Sequence, residues 1–107
     1  MSQEPLPTAL DVDQAQRLLT AGKLDDAQKL IETVLRDNPD DSNAQYTFAV
    51  IQRLNRSHAE ALQTLETVLQ QQPKLARAYQ EQALNHLSLN NPMPAGKALE
   101  IAVALDP

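Results

Sequence analysis

Two stretches of the sequence, LIETVLRDNP at 30–39 and TLETVLQQQP at 64–73, hold Glu, Thr, Val, Leu and Pro in the same places with an offset of 34. A third stretch, ALEIAVALDP at 98–107, continues the series. The offset recurs in several registers: Ala15, Ala49 and Ala83; Ala27, Ala61 and Ala95; Glu32, Glu66 and Glu100; Pro39, Pro73 and Pro107. The apolar sets Ile31, Leu65, Leu99 and Val34, Val68, Ala102 keep it too. A chain built on a fixed period of this length folds as a row of stacked units, each too small to bury its apolar face alone.

Inside each unit the apolar spacing is helical. Ala61, Leu62, Leu65, Val68 and Leu69 fall at i, i+1, i+4, i+7 and i+8, a single stripe on an α-helix. Ala44, Phe48, Ile51 and Gln52 make a second stripe earlier in the same unit, separated from the first by LNRSH. Ser57 followed by Glu60 reads as a capping box, and Asn91 before Pro92 as an N-cap with proline at the first helical position. Asp25 and Asp26 sit where a helix dipole favours anions, and each repeated proline forbids continuation of its helix. Aromatic residues make up only 3% of the chain and there are two glycines, a composition that suits aliphatic helices better than sheets. The expectation is an all-α protein of six helices near 9–21, 25–37, 41–54, 58–71, 75–88 and 92–105. They form three antiparallel helix-turn-helix pairs over 8–107 (repeats 8–41, 42–75 and 76–107), with a disordered lead-in at 1–7.

A 34-residue helix-turn-helix unit carrying GKLDDA, then NPDD, and ALDP at the last repeat, resembles the tetratricopeptide repeat. The family's small residues at unit positions 8 and 20 correspond to the two alanine series, and its proline at position 32 to Pro39, Pro73 and Pro107. Small residues there let paired helices cross closely. The resemblance covers residues 8–107 and implies an α-solenoid, a right-handed superhelical stack. Departures fall at position 4, often Trp in the family and here Asp11, Gln45 and Tyr79, and at bulky position 11, here Leu18, Gln52 and His86.

Residues able to carry chemistry are scarce. His58 and His86 stand well apart in the sequence, and the chain has no cysteine, so neither disulfides nor thiolate metal sites are possible. His86 is expected to pack between helices and His58 to lie exposed in a first turn. Neighbouring Ser57, His58 and Glu60 at a helix start do not point at one another as a catalytic triad must. Gly22 and Gly96 form no phosphate loop. No enzyme activity, metal or cofactor is expected.

A net charge of −5 argues against general affinity for nucleic acid or anionic membranes. The charge is uneven, with nine acids and four bases in 1–41 against five of each in 42–107. No apolar run approaches the roughly 20 residues of a membrane span, and MSQEPLP lacks the features of a secretion signal. The missing cysteines fit a reducing compartment, so a cytoplasmic location is expected.

By the resemblance, function belongs to the concave face, lined by the first helix of each pair. The family's ligand-facing positions 2, 5, 9, 12 and 13 correspond to Ala9, Val12, Gln16, Leu19 and Thr20; to Asn43, Tyr46, Val50, Arg53 and Leu54; and to Arg77, Gln80, Leu84, Leu87 and Ser88. Of these Val12, Gln16, Leu19, Tyr46, Val50, Arg53, Arg77, Gln80 and Leu84 are the candidate peptide-binding residues, with Arg53 or Arg77 pairing a carboxylate. The carboxylate clamp of chaperone-binding family members does not carry over. Val12, Gln16, Thr47, Arg77 and Glu81 stand where it needs Lys, Asn, Asn, Lys and Arg. The expected partner is a protein or peptide, and the expected role a non-enzymatic scaffold or adaptor. The apolar face of the last helix, with Leu99, Ala102 and Val103, suggests a longer protein or a homodimer through that uncapped helix. Weak similarity of 77–107 to the last repeats of some bacterial sulfotransferases gives the alternative, an accessory domain of a larger enzyme.

Overall fold

Six α-helices make up almost all of residues 7–107, the part described by the computed structural model: α1 Pro7–Thr20, α2 Leu24–Asp37, α3 Ser42–Leu54, α4 His58–Gln71, α5 Ala76–Ser88 and α6 Pro92–Leu105. Each limit lies within two residues of the one expected from the sequence. Residues 1–6, most of the anticipated lead-in, lie outside the described residues.

Every pair turns on the same joint. Gly22, Arg56 and Asn90 follow one another at the repeat period and have φ of 78°, 64° and 63°, in the left-handed region. In each case this residue donates to the carbonyl three back (Gly22 to Leu19, Arg56 to Arg53, Asn90 to Leu87). The next residue donates five back, as Lys23 to Leu18, Ser57 to Gln52 and Asn91 to His86, each at 2.8 Å. Paired bonds of this kind are the Schellman closure of a helix C-terminus, which satisfies otherwise orphaned carbonyls.

The joint also corrects the capping expectation. Lys23, Ser57 and Asn91 each complete one helix and begin the next, which holds their ψ at 69°, 63° and 78°. An N-cap side chain normally reaches forward from extended backbone, and neither the Ser57 nor the Asn91 side chain caps its helix. Their carbonyls accept instead, from Ala61 and Ala95. Pro92 does start α6, and Asp41, at ψ 108°, does cap α3 by accepting from the Ala44 amide at 2.9 Å.

The repeated prolines mark the joints between pairs. At unit position 4 the Gln45 amide donates to the Pro39 carbonyl at 2.7 Å, and the Tyr79 hydroxyl to the Pro73 carbonyl at 3.1 Å. Two different side chains thus tie a helix start to the preceding proline turn. Within pairs the alanine series lies at the crossings: Ala15, Ala27, Ala49 and Ala61 are fully buried, and Ala83 and Ala95 nearly so. Their lack of side-chain bulk allows the interaxial distances of about 8–10 Å at which helices interlock.

The core is aliphatic and thins along the chain. One cluster centres on Val12, Ile31, Val34 and Ile51, a second on Leu65 and Val68, and the third holds only Ala83, Ala95 and Ala98. Fully burying a residue such as Ile31 or Leu65 contributes about 1.5–3 kcal/mol. Consecutive helices all pack on one another, and in addition α1 touches α3 and α3 touches α5. The backbones of α2 and α4, and of α4 and α6, stay more than 8 Å apart at every Cα. The first helices therefore line the inner side of the stack, and the second helices stand apart on the outer side. Among the described residues no helix is long and apolar enough to cross a membrane.

Candidate functional site

The inner face is built from α1, α3 and α5, held in register by the repeated joints. Of the nine candidate residues, Gln16, Leu19, Tyr46, Val50 and Arg53 are half-buried on it, and Arg77, Gln80 and Leu84 are exposed. Val12 differs: at 4% exposure it belongs to the first core cluster, which α1, α2 and α3 build together. It can floor a cleft but offers a ligand almost no surface.

The centre of this face is occupied by polar contacts between repeats. Arg53 on α3 donates through Nε and Nη2 to both carboxylate oxygens of Glu81 on α5, at 2.5 and 3.1 Å. Glu81 is 6% exposed, so its charge is met by Arg53 and is not presented to the groove. This corrects the view of Arg53 as a free carboxylate receptor, since its guanidinium is already engaged. Arg77 is left as the accessible cation of the candidate set. Its guanidinium carbon lies 4.3 Å from the Tyr46 ring centroid, and its Nη2 donates to Asn43 Oδ1 at 3.2 Å. Cation–π stacking fixes its planar head at little cost in side-chain entropy.

Tyr46 reports on this environment. Burial raises its hydroxyl pKa above the ordinary 10.0, the Glu81 carboxylate adds to the rise, and Arg77 and Arg53 oppose it. Further along α1, Gln16 Nε2 donates to Thr47 Oγ1 at 3.3 Å, joining the first two repeats. Thr47 is 1% exposed and returns its own hydroxyl to the Asn43 carbonyl.

A cleft of about 240 Å³ opens among Ala9, Val12, Asp13, Gln16, Asp41, Asn43 and Arg77. It draws on all three repeats and sets two carboxylates beside one guanidinium. Asp13 and Asp41 are the residues that the family positions did not indicate. Asp41 also caps α3, and the acidic excess of 1–41 is the sequence signal for this charge.

His58 also departs from expectation. It is half-buried, not exposed, because its Nδ1 lies 2.9 Å from Asn85 Oδ1. Asn85 is fully buried on α5 and donates its Nδ2 to the Glu81 carbonyl at 2.8 Å. With the Asn85 amide so oriented, its oxygen accepts, and His58 Nδ1 carries the hydrogen. The Arg53–Glu81 and His58–Asn85 contacts thus tie the third repeat to the second. His86 is half-buried, with its Nδ1 enclosed and unpartnered.

The tetratricopeptide repeat family profile matches residues 12–76. No curated protein matches the chain. Among solved structures, YrrB, a TPR protein with an unusual peptide-binding site, superposes with a TM-score of 0.83 at 19% identity, over 96% of this chain and 53% of its own. MamA of Desulfovibrio magneticus RS-1 gives 0.81 at 25% identity, over 94% and 56%. MamA MSR-1 gives 0.79 at 18%, over 92% and 57%. The chain thus spans little more than half the length of these structures.

Proposed function

We propose that this chain, which belongs to the tetratricopeptide repeat family, is a non-enzymatic interaction module that holds a segment of another protein along its inner face. The observation carrying this reading is the cleft of Asp13, Gln16, Asp41, Asn43 and Arg77, to which all three repeats contribute. An elongated ligand spanning the repeats meets apolar surface at Leu19, Val50 and Leu84, an oriented cation at Arg77 and carboxylates at Asp13 and Asp41. The pattern suits an extended or helical peptide of mixed charge, in keeping with a solved relative, YrrB, that has a peptide-binding site. The domain in this reading comprises residues 8–107, with repeats 8–41, 42–75 and 76–107, and acts inside the cell.

Selection of peptides from a random display library on the 107-residue chain tests the proposal. Peptides recovered by the native chain are expected to bind Arg77→Glu and Gln80→Glu at least tenfold more weakly, with helicity unchanged. Equal binding by both variants would remove the inner face as the site. The second reading, an accessory domain of a larger enzyme, takes its support from the exposed apolar face of α6. Neither the family match nor the structures named above favour a sulfotransferase as that enzyme.

A further inference from the structure

The charges lining the inner cleft are unevenly engaged. Its one cation, Arg77, is already directed over the Tyr46 ring and onto Asn43 Oδ1. Its two carboxylates, Asp13 and Asp41, have no ion-pair partner among the described residues, where the one salt bridge joins Arg53 to Glu81. Arg17, one helical turn beyond Asp13, does not pair with it either. Asp41 gives Oδ1 to the Ala44 amide and keeps its second oxygen unbonded. It is half-buried, and so has lost part of its hydration without gaining a counter-charge. Gln16 uses Nε2 on Thr47, which leaves its Oε1 as a further acceptor on the lining.

We infer that this cleft receives a cationic group of the bound segment, an ammonium or a guanidinium, paired to Asp13 and Asp41. The inference rests on the reading of the inner face as the ligand site and adds the ligand chemistry that the site selects. A cleft of about 240 Å³ is smaller than the roughly 300–1,000 Å³ of a small-molecule site, so it holds one side chain. The apolar part of its lining, exposed Ala9 with buried Val12, suits the aliphatic stem of Lys or Arg while the charged head meets the carboxylates. A ligand carboxylate in the same place would meet two like charges for one guanidinium that already has two partners. A divalent metal fits less well. Two carboxylates fall short of its oxygen ligands, and among the described residues no group of three or more His, Asp or Glu could hold one. The nine acids against four bases in 1–41 add a field that draws cations towards α1 and the start of α3. Arg77 on α5 is left for an acidic neighbour, so the recognised element is a basic residue beside an acidic one.

Peptides selected from the random display library on the native 107-residue chain, then synthesised, test this. They are expected to share a cation at one fixed place. Replacing that Lys or Arg by norleucine is expected to weaken binding to the native chain at least tenfold. The double variant Asp13→Asn with Asp41→Asn is expected to bind the unaltered peptide at least tenfold more weakly and to be indifferent to the norleucine change. Both substitutions spare the fold, since Asp13 is exposed and Asn caps a helix as well as Asp does. Acetylating the peptide's amino terminus separates the two sources of an ammonium: loss on acetylation assigns the cation to the free terminus, and loss with norleucine assigns it to a side chain. Peptides that bind the native and double-Asn chains equally, yet fail on Arg77→Glu, overturn the inference and leave the inner face as the site. Peptides that bind Arg77→Glu and Gln80→Glu as well as the native chain remove the site and the inference together.

Discussion

Arg53 and Glu81 bind each other through two parallel hydrogen bonds across the boundary between the second and third repeats, with 24% and 8% of their side chains exposed. Neither partner is easily hydrated if the other is lost. Glu81→Ala is expected to destabilise the chain by about 2–3 kcal/mol, since it strands a partly buried guanidinium. The double change Arg53→Met with Glu81→Leu is expected to come within about 1 kcal/mol of the native chain, because well-packed apolar residues often replace such a pair at no loss. Urea denaturation of the three chains checks both statements, and a double variant as weak as Glu81→Ala would show that the pair itself is stabilising.

The left-handed joint makes a second prediction. Arg56 adopts φ 64° where the first repeat uses Gly22 at φ 78°, and a side chain in that region costs about 1 kcal/mol. Arg56→Gly is expected to raise stability by about 0.5–1 kcal/mol, and Gly22→Ala to lower it by about 1 kcal/mol. No atom lies within 4 Å of a Cβ placed on Gly22, so backbone strain is the whole of the second effect. Thermal midpoints measured side by side would decide the matter.

Alkaline pH supplies a third. The folded state raises the Tyr46 pKa, chiefly by burial, so the unfolded chain loses this proton first as pH climbs. The associated stability is complete below the unfolded value of 10.0 and is lost as pH rises through the higher folded value. The melting midpoint is expected to fall more steeply above that pH in the native chain than in Tyr46→Phe. With Tyr79→Phe as background, ultraviolet titration would follow Tyr46 directly, and ionisation below the ordinary tyrosine range would contradict the prediction.

The alanine crossings give the fourth. Ala61 is fully buried on α4, which packs against α3, and leucine there adds three carbons to the crossing. Ala61→Leu is expected to cost about 1–3 kcal/mol through overpacking. The same change at exposed Ala59, in the first turn of α4, is expected to be close to neutral, and calorimetry on the pair separates crowding from helix propensity.

The architecture was legible because three copies of one pattern correct each other's irregularities. Ala15, Ala49 and Ala83 identify a crossing even where Asp11, Gln45 and Tyr79 differ at position 4. What escaped the sequence were features that depend on contacts between copies. Glu81 stands in the sequence only as a misfit to the carboxylate clamp, and becomes a buried partner when α5 docks on α3. His58 reads as a first-turn residue, and nothing local announces Asn85 opposite. Ser57 has the chemistry of a cap, but its backbone is committed to closing α3. Val12 shares its unit position with ligand-facing residues, yet belongs to the first core cluster with Ile31, Val34 and Ile51. Pairing and burial of this kind arise from the third dimension and leave no mark in spacing.

The inner helices touch from repeat to repeat while the outer ones do not. Each outer helix packs instead on the first helix of the next repeat, α2 on α3 and α4 on α5. A column braced by such diagonal joints bends only by working them, so the radius of the inner groove and the packing between neighbouring repeats change together. A ligand seated there would meet a trough whose curvature is set by how closely successive repeats dock.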